Sequence, residues 1–434
     1  MANSGECAPS FESHFRYKIQ NWKPFARGIQ SLFYESGNRL DDVNIVRKFS
    51  NALQRVSRRV HYTGHLSKPL KDAVLFEAFS GKQVGDSPLE IALELQKSHP
   101  NLTLNWSIRT PELPVPSGMV GLIHGTPAWY RALATSKYLV NNANFPAYFR
   151  KRSGQTYLQT WHGTPLKMIG KDIKNDRTSN VYQQTMMREA SYWDYLISPS
   201  PFCSEIFPKA FGTKAKVLEL GYPRNDSLFK VTDKDRNTIR GKLGVNDPNL
   251  KLVLYAPTWR DTTRGAQGGW ESVNYLNEHS ELPAGFKLLY RGHSNTHASH
   301  QKRASESTVD VTFYPNIAEL FIAADILITD YSSVMFDYSV TGKPMIFLTP
   351  DIEDYESDRG FYFDFRRFAP GPICLNAEEA VNALSASQTA FAKKYNEWQR
   401  KFNPQDDGLA ASRVVKVIWS ELSGTSKQRS GKLS

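Results

Sequence analysis

Short apolar runs that end in polar clusters recur along this chain, and they fall into two series. The first comprises "AVLFEAF", "LTLNWSIR", "KYLVNNA", "TYLQTWHG", "YLISPS" and "KVLELGYP". The second begins at Lys251 with "KLVLYAPTW" and continues through "FKLLYRGH", "VTFYP", "ILITDYS" and "PMIFLTP". A strand that is apolar without alternation is buried on both faces, which is the condition of a parallel sheet. Stretches with helical spacing stand between the runs, among them "SPLEIALELQKSH", "YRALATS", "FCSEIFPKAFG" and "NIAELFIAA". Strands alternating with helices predict an α/β class, with helices covering both faces of each sheet. Two series predict two Rossmann-like domains, joined near residues 225–250, with a binding cleft between them. Ser87 and Pro88 read as the N-cap and first position of the first of those helices.

The ends of the chain read differently. "HFRYKIQNWKPFARGIQSLFY" and "IVRKFSNALQRVSRRVHY" space apolar residues by three and four, with Lys and Arg between them. They predict a basic amphipathic helical segment over residues 1–65, interrupted at Pro24. Docking on an anionic membrane surface and packing on the protein's own body both fit that pattern. Two α/β domains then occupy residues 66–235 and 236–422, and the polar residues 423–434 are expected to be a disordered tail. No run approaches the roughly 18 apolar residues that span a bilayer. "MANSGECAPSFESHF" lacks the apolar core of a signal peptide. Cys7, Cys203 and Cys374 stand alone in sequence, which argues against a disulfide framework or a thiolate zinc site and fits a reducing compartment. The net charge of +11 favours polyanionic partners.

In open parallel sheets, ligands bind outside the carboxyl ends of the strands. Four polar signatures stand at such ends: His162-Gly163-Thr164, Pro257-Thr258-Trp259-Arg260, Arg291-Gly292-His293 and Asp330-Tyr331-Ser332-Ser333. Ser332 and Ser333 open a helix, where hydroxyls and free N–H groups hold a phosphate or simply cap the helix. Asp337, one turn on, receives a ligand hydroxyl or faces solvent. Arg291 and His293 share one side of an extended segment and can clamp a phosphate. His297 and His300 follow, but no cysteine or carboxylate joins that run, so it reads as a polar loop before a metal site. Gly163 lets a ligand approach the backbone, and Pro165 stiffens the exit from the strand. That leaves His162 as an accessible base or as a satisfied structural histidine. A second such string, "IHGTPAWY" around His124, is assigned no role.

Several of these strings, "FEAFSGKQVGDSP", "KYLVNNANFPAYFRKRSGQTYLQTWHGTPLK", "GYPRND", "LYAPTWRD", "YRGH" and "TDYSSVMFDY", resemble the CDP-glycerol glycerophosphotransferases of teichoic acid and capsule synthesis. The resemblance runs in order from about Phe76 to about Phe365. It implies a fold of the glycosyltransferase B type, two Rossmann-like domains facing across a cleft. Residues 66–235 would be the acceptor side and residues 236–422 the CDP-glycerol-binding side. The implied reaction transfers glycerol phosphate from CDP-glycerol to a hydroxyl of a membrane-linked acceptor or growing poly(glycerol phosphate) chain, releasing CMP. The implied donor site holds His162, Gly163, Thr164, Pro165, Leu166, Arg224, Pro257, Thr258, Arg291, Gly292, His293, Ser332, Ser333 and Asp337, with His162 and His293 catalytic. No metal ligand or cofactor is assigned, and Mg²⁺ dependence is left open. The implied partners are CDP-glycerol, a lipid-linked or polymeric polyol-phosphate acceptor and an anionic membrane surface. The chain is then a cytoplasmic protein, peripheral on the inner face of the cell membrane. A CDP-ribitol-dependent transferase, or another nucleotide-diphosphate-dependent glycosyltransferase of this fold, is the alternative. A nucleic-acid-binding role would leave the histidine motifs unexplained.

Overall fold

The apolar runs of the first series form parallel strands: β1 (Lys71–Glu77), β2 (Thr103–Ile108), β4 (Ser136–Asn141), β5 (Thr156–Gln159), β6 (Tyr195–Ser198) and β7 (Lys216–Glu219). With β3 (Val120–Ile123) they make a seven-stranded sheet in the order β3-β2-β1-β4-β5-β6-β7. The second series forms β8 (Lys251–Ala256), β9 (Phe286–Tyr290), β10 (Thr308–Asp310), β11 (Ile326–Thr329), β12 (Met345–Leu348) and β13 (Ile373–Cys374). These make a six-stranded parallel sheet in the order β10-β9-β8-β11-β12-β13. Each sheet reverses its winding once, between β1 and β4 and between β8 and β11. Those reversals are the switch points at which doubly wound folds open a crevice. This computed structural model describes residues 53–173, 180–258, 275–276, 282–292, 307–386 and 388–429.

The strands read from sequence differ from the observed ones where burial is incomplete. β3 is an edge strand of only four residues, with Gly121 inside it and Val120 half exposed, and so short a run does not by itself declare a strand. Around "VTFYP" the strand lies earlier, at β10. The chain then turns away at Val311–Pro315, because Arg291 Nη1 binds the carbonyls of Val311 and Tyr314 at 3.1 and 2.8 Å. The first long helix begins at Asp86, not after Ser87 (Asp86–Ser98). Ser87 N donates to Asp86 Oδ1 at 2.6 Å, and the Ser87 hydroxyl instead accepts from Arg224 N at 3.4 Å.

Two compact units divide the chain, residues 1–60 and 61–434. Of the first, residues 53–60 are described and are helical, with Arg55, Arg58 and Arg59 exposed. The stretch Lys18–Arg27, Arg47 and Cys7 lie outside the described residues. Among the described residues no helix is long and apolar enough to cross a membrane.

The chain leaves the second sheet and returns to the first. The last helix, Ala410–Arg429, covers most of the tail expected to be disordered, and residues 430–434 lie outside the described residues. Its Val414, Val415 and Trp419 pack with Val74, Phe76 and Trp106 beneath the first sheet. A boundary at residue 422 therefore assigns this helix to the wrong sheet. The reason is a cap that sequence order does not reveal. The Asp226 carboxylate accepts from Ala410 N at 3.0 Å and Ala411 N at 2.8 Å, satisfying donors at the helix start. Gly221, with φ +84, lets the two crossings touch. A side chain there would stand 2.6 Å from the Gln405 carbonyl oxygen.

Trp419→Ala should empty a fully buried ring site shared by the last helix and β1. Loss of such a ring costs about 3–5 kcal/mol, and equilibrium urea unfolding should show a loss of unfolding free energy of that size, with a lower midpoint.

Candidate active site

The backbone at the carboxyl end of the first sheet is strained in a concentrated way. Among the described residues, four non-glycine residues have left-handed φ: Phe79, Ser80, Asp86 and Trp161. Phe79 and Ser80 leave β1, Asp86 begins the next helix and Trp161 follows β5. Conformations of this kind persist where surrounding contacts over-determine them, and they gather at functional sites. Here they gather on His162. Its ring lies 4.1 Å from the Trp161 ring and 5.8 Å from the Phe79 ring.

Asn142, fully buried at the end of β4, holds this arrangement. Its carbonyl oxygen lies 2.6 Å from His162 Nδ1, and its side-chain Oδ1 accepts from Phe79 N at 2.8 Å. A carbonyl only accepts, so Nδ1 carries the hydrogen and Nε2 keeps a lone pair. His162 keeps solvent exposure, while the protein packed about its ring partly desolvates the imidazole. That desolvation lowers its pKa from the ordinary 6.5. The Asn142 carbonyl and Asp86 oppose the shift, and Arg224 adds to it. A neutral imidazole with a free Nε2 at neutral pH is a competent general base.

The second sheet meets this site directly. A side chain on Gly163 would stand 2.8 Å from Ser333 Oγ, so glycine is what allows the approach. Arg224 is buried and binds Asp337 through Nε at 2.9 Å and Nη2 at 3.1 Å. Its Nη1 lies 3.6 Å from Asp86 Oδ2, and its guanidinium stacks 4.0 Å over the Tyr222 ring. Burial pushes the Asp337 carboxyl up, and the Arg224 charge opposes it. The two carboxylates hold the guanidinium firmly protonated against its own desolvation.

The donor-site residues expected from sequence separate into two groups. His162, Gly163, Arg224, Ser332 and Ser333 come together at the facing sheet ends. Ser333 makes no side-chain cap, and the helix it precedes, Val334–Tyr338, is only five residues long. The capping alternative therefore fails for Ser333, and so does the argument from a long helix dipole. Arg291 stands at the end of β9, mostly buried. Among the described residues no carboxylate pairs with it, and desolvation lowers its pKa. Gly292 N donates to Thr312 Oγ1 at 3.0 Å. His293, Trp259, Arg260, His297 and His300 lie outside the described residues.

The other group is committed to packing. Leu166 is buried in the core of the second sheet, and its carbonyl accepts from Tyr362 N at 2.9 Å. Pro165 leads that strap across, and Met168 N donates to Gly360 O at 3.0 Å. Thr164 is buried beside the Cys203 thiol and the Tyr222 phenol. Thr258, following the buried Pro257, donates its hydroxyl to Asp330 Oδ1 at 2.5 Å, tying β8 to β11. Asp337 does not face solvent: it is buried, and Arg224 binds both of its oxygens. Sequence reading missed Asp86, Asn142 and Phe79. Asp86 follows Gly85 in "GDSP", a visible turn signal; nothing local marks Asn142.

Arg224→Ala would leave the buried Asp337 carboxylate unpaired, with Asp86 beside it. Unpairing a buried ion costs about 3–5 kcal/mol, so thermal or urea unfolding of this variant should show a loss of that order. Asp337→Asn, which keeps hydrogen-bonding capacity, should lose less.

Comparison with known proteins agrees with this architecture. The family model described as CDP-Glycerol:Poly(glycerophosphate) glycerophosphotransferase matches residues 60–420. The teichoic acid glycerol-phosphate transferase of Staphylococcus aureus is 35% identical over 395 residues, covering 85% of this chain and 99% of that protein. The teichoic acid poly(glycerol phosphate) polymerase of Staphylococcus epidermidis is 34% identical over 412 residues, or 89% of this chain. The chain spans 57% of that polymerase, and so little more than half the length of this relative. Among solved structures, that of the wall teichoic acid polymerase TagF superimposes with a TM-score of 0.79 at 31% identity, covering 90% of this chain and all of the other. The fold is thus the pair of parallel sheets expected from the strand pattern, in the glycosyltransferase B-like form that the resemblance implied, and the chain belongs to the CDP-glycerol:poly(glycerophosphate) glycerophosphotransferase family.

Proposed function

We propose that this protein transfers glycerol phosphate from CDP-glycerol to a hydroxyl of a membrane-linked acceptor or growing poly(glycerol phosphate) chain, releasing CMP. The observation that carries the reading is the tautomer of His162. The Asn142 carbonyl takes Nδ1, and Nε2 remains free at the cleft, where Gly163 meets Ser333.

In this mechanism the acceptor oxygen attacks the phosphorus that bears glycerol, and the bond from that phosphorus to the oxygen of CMP breaks. His162 Nε2 receives the hydroxyl proton. Arg291, Ser332 and Ser333 hold the negative charge of the diphosphate, with the Arg224 ion cluster fixing the facing sheet ends beneath it, and His293 is assigned to the same group. Phosphoryl transfer depends on positioning and charge stabilisation more than on covalent catalysis. CMP leaves as a weakly basic phosphate, so the demanding proton transfer is the one at the nucleophile. Residues 66–235 take the acceptor side and the second sheet takes the nucleotide.

Peripheral association with the anionic inner face of the cell membrane belongs to the same proposal. It is supported by the helical residues 53–60, where Arg55, Arg58 and Arg59 are exposed together with Val56 and Val60. Cationic residues near such a surface contribute about 1 kcal/mol each.

His162→Ala should reduce CMP release by about 10²–10⁴-fold, the usual worth of a general base, while CDP-glycerol binding changes by only a few fold. Near-normal turnover would remove His162 from the role. In the parent, kcat/KM should rise with pH through a midpoint below 6.5 and then level, because the base must be neutral and its pKa is lowered. An acid limb centred above 6.5 would contradict this.

Arg291→Ala should weaken CDP-glycerol binding by about tenfold or more, the equivalent of one charged hydrogen bond. Calorimetry on the purified variant measures this, and an unchanged affinity would place the diphosphate elsewhere.

A further inference from the structure

The second H-G-T-P string, His124–Pro127, plays no part in the donor site, and neither does the exposed cation Arg109. Both stand at carboxyl ends of strands in the sheet that carries His162: Arg109 follows β2 and His124 follows β3. Hydrogen bonds link these positions to the base. His124 N donates to the Ile108 carbonyl at 2.8 Å, and Arg109 N to the Gly81 carbonyl at 2.7 Å. Arg109 Nε donates to the Ser80 carbonyl at 2.7 Å. Phe79 N reaches Asn142 Oδ1, and the Asn142 carbonyl reaches His162. The result is a ledge across the ends of β3, β2, β1, β4 and β5. At about 4.8 Å per strand it is on the order of 20 Å long.

The ledge is braced from behind. Glu77, fully buried under it, accepts from Ser107 Oγ at 2.6 Å, and Trp129 Nε1 donates to that same hydroxyl at 2.8 Å. The Trp129 ring lies 4.1 Å from the His124 ring. In front, Arg109 uses only Nε, so its terminal nitrogens have no protein partner among the described residues. Lys82, also exposed, stands at the end of the Phe79–Gly81 turn. Neither cation is paired with a carboxylate among the described residues. A guanidinium held by Nε presents its other nitrogens as a fork, the geometry that suits phosphate.

We propose that this ledge is a track for the phosphodiester backbone of the acceptor, delivering its terminal hydroxyl to His162. Arg109 takes an internal phosphate of the acceptor, and His124 takes one further from the end. The inference rests on the proposed reaction for the identity of the chain that enters. It adds that the acceptor is held through phosphates behind the reacting unit, on the side of His162 away from Gly163 and Ser333.

Binding of soluble oligo(glycerol phosphate) with one or with four phosphates, titrated calorimetrically in the absence of CDP-glycerol, tests this. The parent should bind the longer ligand more tightly. Arg109→Gln keeps a donor for the Ser80 carbonyl but removes the charge. It should lose about tenfold in affinity for the four-phosphate ligand and much less for the single-phosphate one. His124→Gln, farther from the strained turn, should lose affinity in the same length-dependent way. Parent-like binding of the longer ligand by both variants overturns the track. So does an equal loss for both lengths, which would mean that the changes act at the terminal unit. CDP-glycerol is then added: a parent that bound the oligomer but now releases no CMP counts against the proposed reaction and leaves the track standing.

Discussion

A guanidinium buried between two carboxylates holds this site together. Arg224 lies against Asp337, from the second sheet, and against Asp86, from the first. Its charge is stable in that position only while both partners remain, because an unpaired ion in the interior costs more than the pair contributes. The turn that carries it, Pro223–Phe229, also supplies Asp226 to cap the last helix. Asn225 in the same turn donates to Asp406, whose carboxyl burial pushes up to about 6 and which also accepts from Tyr222 N and Asn403. One short segment therefore fixes the facing of the sheet ends, the return of the chain and the charge beneath the base.

That rigidity accounts for the strain around His162. Phe79, Ser80, Asp86 and Trp161 each occupy a backbone region that L-residues avoid. Each is held by a contact made from elsewhere in the fold: Asn142 on Phe79, Arg109 on Ser80, Arg224 on Asp86, and the rings of Phe207 and Phe211 on Trp161. The benefit is a histidine whose tautomer is set before any substrate arrives. Pre-organised groups of this kind lose little when charge develops in a transition state.

Much of the architecture was legible in the sequence because its signals are local. An unbroken apolar run such as "KLVLYA" declares a strand buried on both faces, and its polar terminus declares a strand end. The positions of His162, Arg291, Ser332 and Ser333 at such ends follow from that alone. β3 escaped although "MVGLI" is apolar, because it is a four-residue edge strand interrupted by Gly121, a residue that weakens a strand. The last helix was assigned to the wrong sheet because its cap, Asp226, lies 184 residues before Ala410.

The sequence by itself determined the α/β class, the two series of strands, the strand ends that bear polar groups and the likeness to a family of phosphotransferases. Tertiary structure alone decided which polar groups meet. Arg224 and Asp337 are 113 residues apart; Gly163 and Ser333 belong to different sheets. It gave Asp337, Thr258 and Leu166 protein partners that the sequence does not announce, and it brought in Asp86, Asn142 and Phe79. The physical reason is that periodicity reports only whether a residue faces a core. Which buried donor finds which acceptor depends on strand order and on chain crossings, and these are settled when the whole chain packs.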